Sequence, residues 1–336
     1  MRVISEPAPP SVVGRDGQPA LGAYRGAVPA VRWDALAGPS RRGSLYRRLH
    51  HKTWLFVSIA CDPVVVALGI VDIGIAVTAF AYVFDRDARS LVAERSWTTL
   101  PGRAMVSPHP TVGASARFSS GRTRLAIDNL GGGPAVPHRY RALIDDGDLQ
   151  LRAELVAARG MPTLCAVAPI EGGVANCTHK SPGFEASGHV EVGPRRFDLA
   201  GAHGAFDHTS GLLARDTRWR WASASGADVA FNLVEGFNGP VENVVWLDGE
   251  LVPVGEARFD YDPKDPLAPW RITADGGLEL AFTPEGARRQ DKDLVLAKSW
   301  YVQPIGTFRG TLRGDDGRTR ELGPILGVTE DHRALW

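Results

Sequence analysis

The residues best suited to chemistry are concentrated between His203 and Glu242, in HGAFDHTSGLLARDTRWRWASASGADVAFNLVEGFNGPVE. Asp207 and His208 are adjacent titratable groups, and Glu235 follows the apolar segment Ala230–Val234, so one carboxylate with a perturbed pKa can protonate a substrate there. On an extended chain successive side chains face opposite ways, which puts Trp219 and Trp221 on one face and Arg218 and Arg220 on the other. Two indoles then build one wall, each burying about 150–250 Å² and offering a face that suits an unsaturated ligand or a developing carbocation. His203 shares a face with Asp207 while His208 points away, a poor arrangement for three metal ligands and a better one for acid–base work. Asp207 is therefore the candidate acid, tuned by His208 or Glu235. The same groups serve equally well to hydrogen-bond buried backbone where two halves of the chain meet, because structural networks also perturb pKa values. Asn232, Trp246 and, near the end of the chain, Glu330 complete the expected lining.

Other constellations are weaker. Cys165, Cys177 and His179 lack the tight paired spacings and the fourth ligand of structural zinc, and read as buried thiols beside a histidine, so no metal is expected. Gly131-Gly132-Gly133-Pro134 has no Lys-Ser/Thr pair and no following helix, which makes it a turn and not a phosphate cradle. There is no nucleophile elbow, Walker loop, H-E-x-x-H helix or dinucleotide fingerprint, so the expected chemistry needs no cofactor. His51, Lys52 and Trp54 precede the first apolar segment, at what would be the mouth of a barrel.

The elements that must position these residues are strands. Segments of strand length alternate with turn chemistry: Tyr140–Ile144 and Leu149–Val156 around Asp-Asp-Gly-Asp, His189–Val192 and Arg196–Leu199 around Gly193-Pro194, Trp219–Ser223 and Val229–Val234 around Ser225-Gly226. Val244–Leu247 with Glu250–Val254, and Thr307–Arg313 with Thr319–Leu322, repeat the pattern. No long amphipathic helix is visible. Many short antiparallel strands leave edges unless the sheet curls, so barrels or deep sandwiches follow, and a barrel can enclose one small ligand. Residues 1–45 are rich in Pro, Gly and Ala and read as an irregular arm lying on the surface or across an opening, with order starting near His50. Two packed units follow, residues 46–200 and 201–336.

Composition narrows the partners. The chain has 336 residues, 44% hydrophobic and 23% charged, with Lys+Arg and Asp+Glu both 38 and a formal net charge of zero. No excess positive field is available for phosphate backbones, so nucleic acid is not an expected partner. Three cysteines and a start without an apolar run after basic residues make the cytoplasm the expected location. The apolar stretch Leu55–Phe84 is long enough for a bilayer, but Asp62, Pro63 and Asp72 interrupt it and Val and Ile dominate it. It reads as buried strands, not an integral membrane segment.

At this point a resemblance enters. D-H-T-S-G at Asp207–Gly211, R-x-T-x-W-x-W-A-S-A-S-G at Arg215–Gly226, N-L-V-E-G-F at Asn232–Phe237 and E-N-x-x-W-x-D-G at Glu242–Gly249 resemble the family called domain of unknown function 2804. The likeness extends to His51–Asp85, P-W-R-I-T at Pro269–Thr273, S-W-Y-V-Q-P-I-G at Ser299–Gly306 and G-V-T-E-D-H at Gly327–His332. More distantly, D-H-x-x-G followed by W-x-W is similar to the carotenoid 1,2-hydratase and AttH superfamily. That resemblance implies an all-β chain of two lipocalin-like (calycin-type) antiparallel barrels packed together, and an acidic group in an apolar pocket that hydrates, cyclises or isomerises an unsaturated molecule, the role Asp207 would take. Thr209-Ser210 departs from the bulky pair usual after the Asp-His in the hydratases. The alternative is a carrier that holds a lipid or other hydrophobic metabolite unchanged.

Overall fold

The computed structural model describes residues 2–133, 136–158, 161–293 and 297–336. The fold is all-β: two curled antiparallel sheets, fourteen-stranded and nine-stranded among the described residues. Its helical content there is the single α-helix Ser44–His50 and two short 3₁₀ turns. The first sheet runs Ser90–Thr99, Val77–Asp85, Val64–Asp72, His51–Ala60, Ala202–Leu212, Ala175–Val192, Leu149–Ala157 and on to Ala104–Val106 at its far edge. The second runs from Glu250–Pro253 through Val244–Leu247, Val229–Gly236, Asp216–Ser225, Thr319–Leu335, Lys298–Arg313 and Leu278–Asp293 to Trp270–Ala274 and Ala257–Asp260. The hairpins read from turn chemistry form in register, with Leu149 opposite Asp146, Val192 opposite Arg195, and Leu247 opposite Glu250.

The apolar stretch Leu55–Phe84 is three antiparallel strands, His51–Ala60, Val64–Asp72 and Val77–Asp85. Its unbroken hydrophobicity has a two-sided cause. Val64, Val66, Leu68 and Ile70, with Val77, Ala79, Ala81 and Val83, point into the core of the first sheet. Val65 and Ala67, with Tyr82 and Phe84, point the other way, onto Trp221, Val234, Ile305 and Val328 of the second sheet. A strand buried on both faces loses the polar alternation of a half-exposed one. Among the described residues no helix is long and apolar enough to cross a membrane.

Two features depart from the sequence-based expectation. Ala202–Leu212, expected to open the second unit, lies inside the first sheet, hydrogen-bonded on one side to His51–Ala60 and on the other to Ala175–Val192. The change of sheet falls between Leu212 and Asp216. The stretch before His50 is ordered well ahead of that point: Gly22–Arg25 pairs with Leu164–Pro169, and Val12, Val28, Val31, Trp33 and Leu36 bury themselves against Cys165, Cys177 and Leu212. Sparse but large apolar residues do this without periodicity, which hid it in the sequence. Gly131–Gly133 close the strand Thr123–Gly133, and Pro134 lies outside the described residues.

Candidate active site

A cavity of about 170 Å³ opens where the two sheets face each other. One wall is a register row of the first sheet. Lys180 stands opposite Asp207, Asp207 opposite Phe56, Phe56 opposite Gly69, Gly69 opposite Phe80, and Phe80 opposite Ser96. The neighbouring row on the same face carries Thr178, Thr209, Trp54, Val71 and Thr78. The facing wall comes from the second sheet, where Trp221 pairs with Val234 and Glu330, and Trp219 with His332, which in turn pairs with Tyr301. Period-two alternation thus delivers both indoles to the cavity, while Arg218 and Arg220 turn away.

The polar centre of the first wall is a cluster of charges. Lys180 Nζ donates to Asp207 Oδ2 at 2.6 Å and lies 3.3 Å from Glu242 Oε1. Asp207 Oδ1 accepts from the hydroxyls of Thr178 at 3.2 Å and Thr209 at 3.0 Å. Glu242 sits on the 3₁₀ turn Gly239–Glu242 and accepts from the Nδ2 groups of Asn232, at 3.2 Å, and Asn238. Asn232 Oδ1 takes the Trp221 indole N–H at 2.8 Å, and the ammonium of Lys180 lies 5.4 Å from the Trp221 ring. All three charged groups are buried, with Lys180 7%, Asp207 9% and Glu242 2% exposed. Burial works against the charge on Lys180, yet the Asp207 and Glu242 carboxylates outweigh it and raise its pKa above the usual lysine range. Two carboxylates around one ammonium leave the cluster one negative charge in excess, beside a face of indole.

A second polar group stands on the opposite wall. Glu330 accepts from the Trp219 indole N–H at 2.7 Å and from Gln303 Nε2 at 3.0 Å, and Gln303 accepts from the Tyr82 hydroxyl at 2.7 Å. Burial, with Glu330 close by, pushes the Tyr301 hydroxyl well above its usual range.

The remaining expected residues are placed elsewhere. Glu235 lies on the face of its strand opposite to Val234, paired to Arg220 at 2.8 Å and accepting from the Phe259 backbone N–H at 3.3 Å, so it does not reach Asp207. His208 is on the far face from Asp207, fully buried, its Nε2 3.0 Å from the Ser107 carbonyl and its ring 6.0 Å from that of His179. His203 occupies the cavity-side face of its strand but lies beyond the cavity, opposite Glu185 and Ala60. Asn232 acts from behind Trp221, and Trp246, on the same face of the sheet but outside the main cavity, is buried with its indole donating to the Pro162 carbonyl at 2.6 Å. Lys52 is buried with its ammonium on the carbonyls of Leu49 and Ile73, and of that early trio only Trp54 lines the cavity. Sequence reasoning missed Lys180 and Glu242, as well as Arg288 and Lys292 on the strand Leu278–Asp293.

The structure does bring Cys165, Cys177 and His179 together, with the sulfurs 4.0 Å apart and Cys177 Sγ 3.8 Å from His179 Nδ1. The Val28 backbone N–H donates to His179 Nε2 at 3.3 Å, which leaves the proton of the neutral ring on Nδ1, aimed at sulfur. Hydrogen bonding to Cys177 holds the Cys165 thiol below its usual range, while burial pushes Cys177 up. The three side chains form a buried thiol–imidazole chain whose donor atoms all lie within 4.8 Å of one another.

Two expectations arise from this geometry. Burial, then the neighbouring His179, push the His208 pKa down to about 4. A neutral buried imidazole that must gain a proton on unfolding loses stability as pH falls from its ordinary 6.5 through 4, by about 3 kcal/mol in total. His208→Gln should therefore flatten the pH dependence of urea stability over that interval, and a difference curve that stays level would refute it. At Gly69 an added Cβ would meet Phe80 Cε1 at 2.5 Å. Phe80 lies across that bare backbone, with the Arg288 guanidinium 4.4 Å from its ring. Gly69→Ala should cost about 1–3 kcal/mol by overpacking and displace the ring, seen as a lower urea midpoint and reduced ligand occupancy in native mass spectrometry.

Comparison with known proteins places this geometry in context. No curated protein matches the sequence. Among solved structures, a protein of Nitrosomonas europaea assigned as an AttH shares 14% identity over 91% of this chain and 99% of its own, with a TM-score of 0.55. Kievitone hydratase from Nectria haematococca shares 12% identity over 100% of this chain and 98% of its own, at a TM-score of 0.52. CghA, solved with Sch210972, shares 14% identity over 99% of this chain and 98% of its own, at 0.56. At such identities the likeness is one of fold, and that fold is the two-barrel, lipocalin-like one expected from the sequence. The family profile of domain of unknown function 2804 matches residues 4–336, and the chain belongs to that family.

Proposed function

We propose that the protein is a lyase- or isomerase-type enzyme that hydrates, cyclises or isomerises an unsaturated, largely apolar small molecule in the cavity between the two sheets, using proton transfer from its own side chains. The observation that carries this reading is the buried cluster Lys180–Asp207–Glu242 opening beside Trp221. Taking three charges out of water costs several kcal/mol each before pairing is counted, and a site built only to hold an apolar molecule gains nothing from it. Asp207 accepts from three donors and is arranged to take a proton or to steady positive charge. Lys180, held charged between two carboxylates, positions Asp207 and supplies the counter-charge that keeps its carboxylate ionised beside the cavity. The sequence-based assignment of Asp207 as the proton-transfer group is kept, with Lys180 as its positioning partner. Trp219 and Trp221 bind the unsaturated part, and Glu330 fixes the Trp219 ring. A hydratase among the proteins that share the fold agrees with this chemistry.

Carriage without chemistry is the second reading, favoured by the aromatic lining of Trp54, Phe56, Phe80 and Phe237. Incubating the protein with fractionated metabolite extract, followed by mass spectrometry, separates the two. Enzyme action yields a compound that gains or loses water, or an isomer of unchanged mass, only with wild-type protein. Recovery of one unchanged lipid, with no product from any fraction, would establish carriage.

A further inference from the structure

Among the described residues, eight side chains that line the cavity are acidic, basic or imidazole groups, and all but one of the cations among them have a counter-ion. Lys180 has Asp207 and Glu242, Arg288 Nε lies 3.1 Å from Glu94, and Lys298 lies 2.7 Å from Asp293. Lys292 is the exception: among the described residues it has no hydrogen-bond acceptor and no carboxylate partner. It shares the cavity-side face of its strand with Arg288 and Gln290, because positions two apart point the same way. Its cross-strand neighbour is Ser299, whose hydroxyl lies 2.8 Å from His332 Nε2.

The surroundings give it no relief. On its own strand Arg288 shares its face, while Arg289, Asp291 and Asp293 alternate onto the opposite face, Asp293 being held by Lys298. From the strand Lys298–Arg313 it faces Lys298 and Ser299, and from Thr319–Leu335 it faces His332, itself 3.6 Å from Glu330. The strands His51–Ala60, Val64–Asp72 and Val77–Asp85 line the cavity with Trp54, Phe56, Val71, Thr78 and Phe80, none of them charged. Burial, then the Arg288 guanidinium, lower the Lys292 pKa to about 8. Nearby Arg288 is already committed, stacked on Phe80 and Tyr301 with Nη2 donating to Ser96. An amine half out of water, repelled by its neighbours and lacking an anion, has room for one from the ligand.

We infer that the molecule taken into this cavity carries an acidic group, a carboxylate or an enol of comparable acidity, whose anion seats on Lys292 while its unsaturated body lies along the indoles toward Lys180 and Asp207. This rests on the reading of the cavity as a ligand site and narrows the ligand from apolar to amphiphilic and anionic. It holds equally for an enzyme and for a carrier. The cavity then has two unlike poles: a paired charge cluster for chemistry and a single cation for orientation. Such an arrangement fixes which end of an unsaturated acid meets Lys180.

The probes are naphthylacrylic acid, its primary amide and its methyl ester, titrated against the full chain by quenching of tryptophan fluorescence. The acid is expected to bind about tenfold or more tightly than either neutral form, the effect of one charge-assisted contact. Lys292→Met should bring the three to about equal affinity, and Lys292→Arg should restore the preference, which also controls for folding. Acid binding no tighter than the amide in wild type, or a preference that survives Lys292→Met, overturns the inference. Turnover of a neutral substrate with intact Asp207 dependence would leave the enzymatic reading standing and remove only this one.

Discussion

Asp207→Asn is expected to lower turnover by about 10²–10⁴-fold, the range of general acid–base catalysis, while the variant stays folded and binds ligand as wild type does. The two halves of that expectation come from different features of the cluster. Asn keeps the shape of Asp and retains one acceptor oxygen for Lys180, and its amide can donate to the Thr178 and Thr209 hydroxyls that now donate to Oδ1. Lys180 also keeps Glu242 at 3.3 Å, so no buried ammonium is stranded. Asn, however, neither takes up a proton nor offers a full negative charge to a cation forming over Trp221. Single-turnover kinetics on the substrate found by extract screening would show the loss in kcat with KM little changed. Unaltered turnover, with the carboxylate gone, would mean that Asp207 only anchors Lys180.

The fold was more legible than the site, for a reason that lies in the geometry of sheets. Alternation within one strand is local, so the common face of Trp219 and Trp221 follows from residues two apart, and both indoles line the cavity. The same rule already turned His208 away from Asp207; assigning it a tuning role overrode the period of two that the sequence displayed. Glu235 misled differently. It is close in sequence to the indoles, but it stands opposite Arg220, not Trp221, and one register step decides the face. Lys180 was invisible because nothing in its local sequence pairs it with a carboxylate. What gives it meaning is Asp207, on a strand that pairs with its own across a gap of 27 residues and a change of direction. Longer links still hold the cavity together, as where Arg288 and Gln290 both donate to Ser96, more than 190 residues away. The unbroken apolar run of Val64–Ile70 carried information of another kind: two-sided burial, which announced that something packs on both faces, though not what.

Lys180→Met should cost about 3–5 kcal/mol of folding stability, the largest loss expected at any single position of the cluster. The methionine fills the same volume and keeps contact with Trp221, so the loss is electrostatic: Asp207 and Glu242 remain buried with no cation between them. Asn232 and Asn238 still donate to Glu242, and Thr178 and Thr209 to Asp207, which softens the loss without removing it. The sign of the pH dependence follows from the raised pKa of Lys180. A cation whose pKa is higher folded than unfolded contributes fully below its unfolded value of 10.5 and loses that contribution as pH rises through the folded value. The gap in urea stability between wild type and Lys180→Met should therefore hold level from neutral pH to about pH 10 and narrow only above it. Lys180→Met/Asp207→Asn removes one of the stranded charges and should recover part of the loss, with Glu242→Gln added to it recovering more. Non-additivity of that sign is what distinguishes an uncompensated charge from a packing defect, since a cavity left by a shorter side chain would be deepened, not relieved, by further substitution beside it. A cost below about 1 kcal/mol, or double and triple variants no more stable than the single one, would mean that water reaches these carboxylates and that the cluster is not the dry proton-handling site on which the proposed chemistry depends.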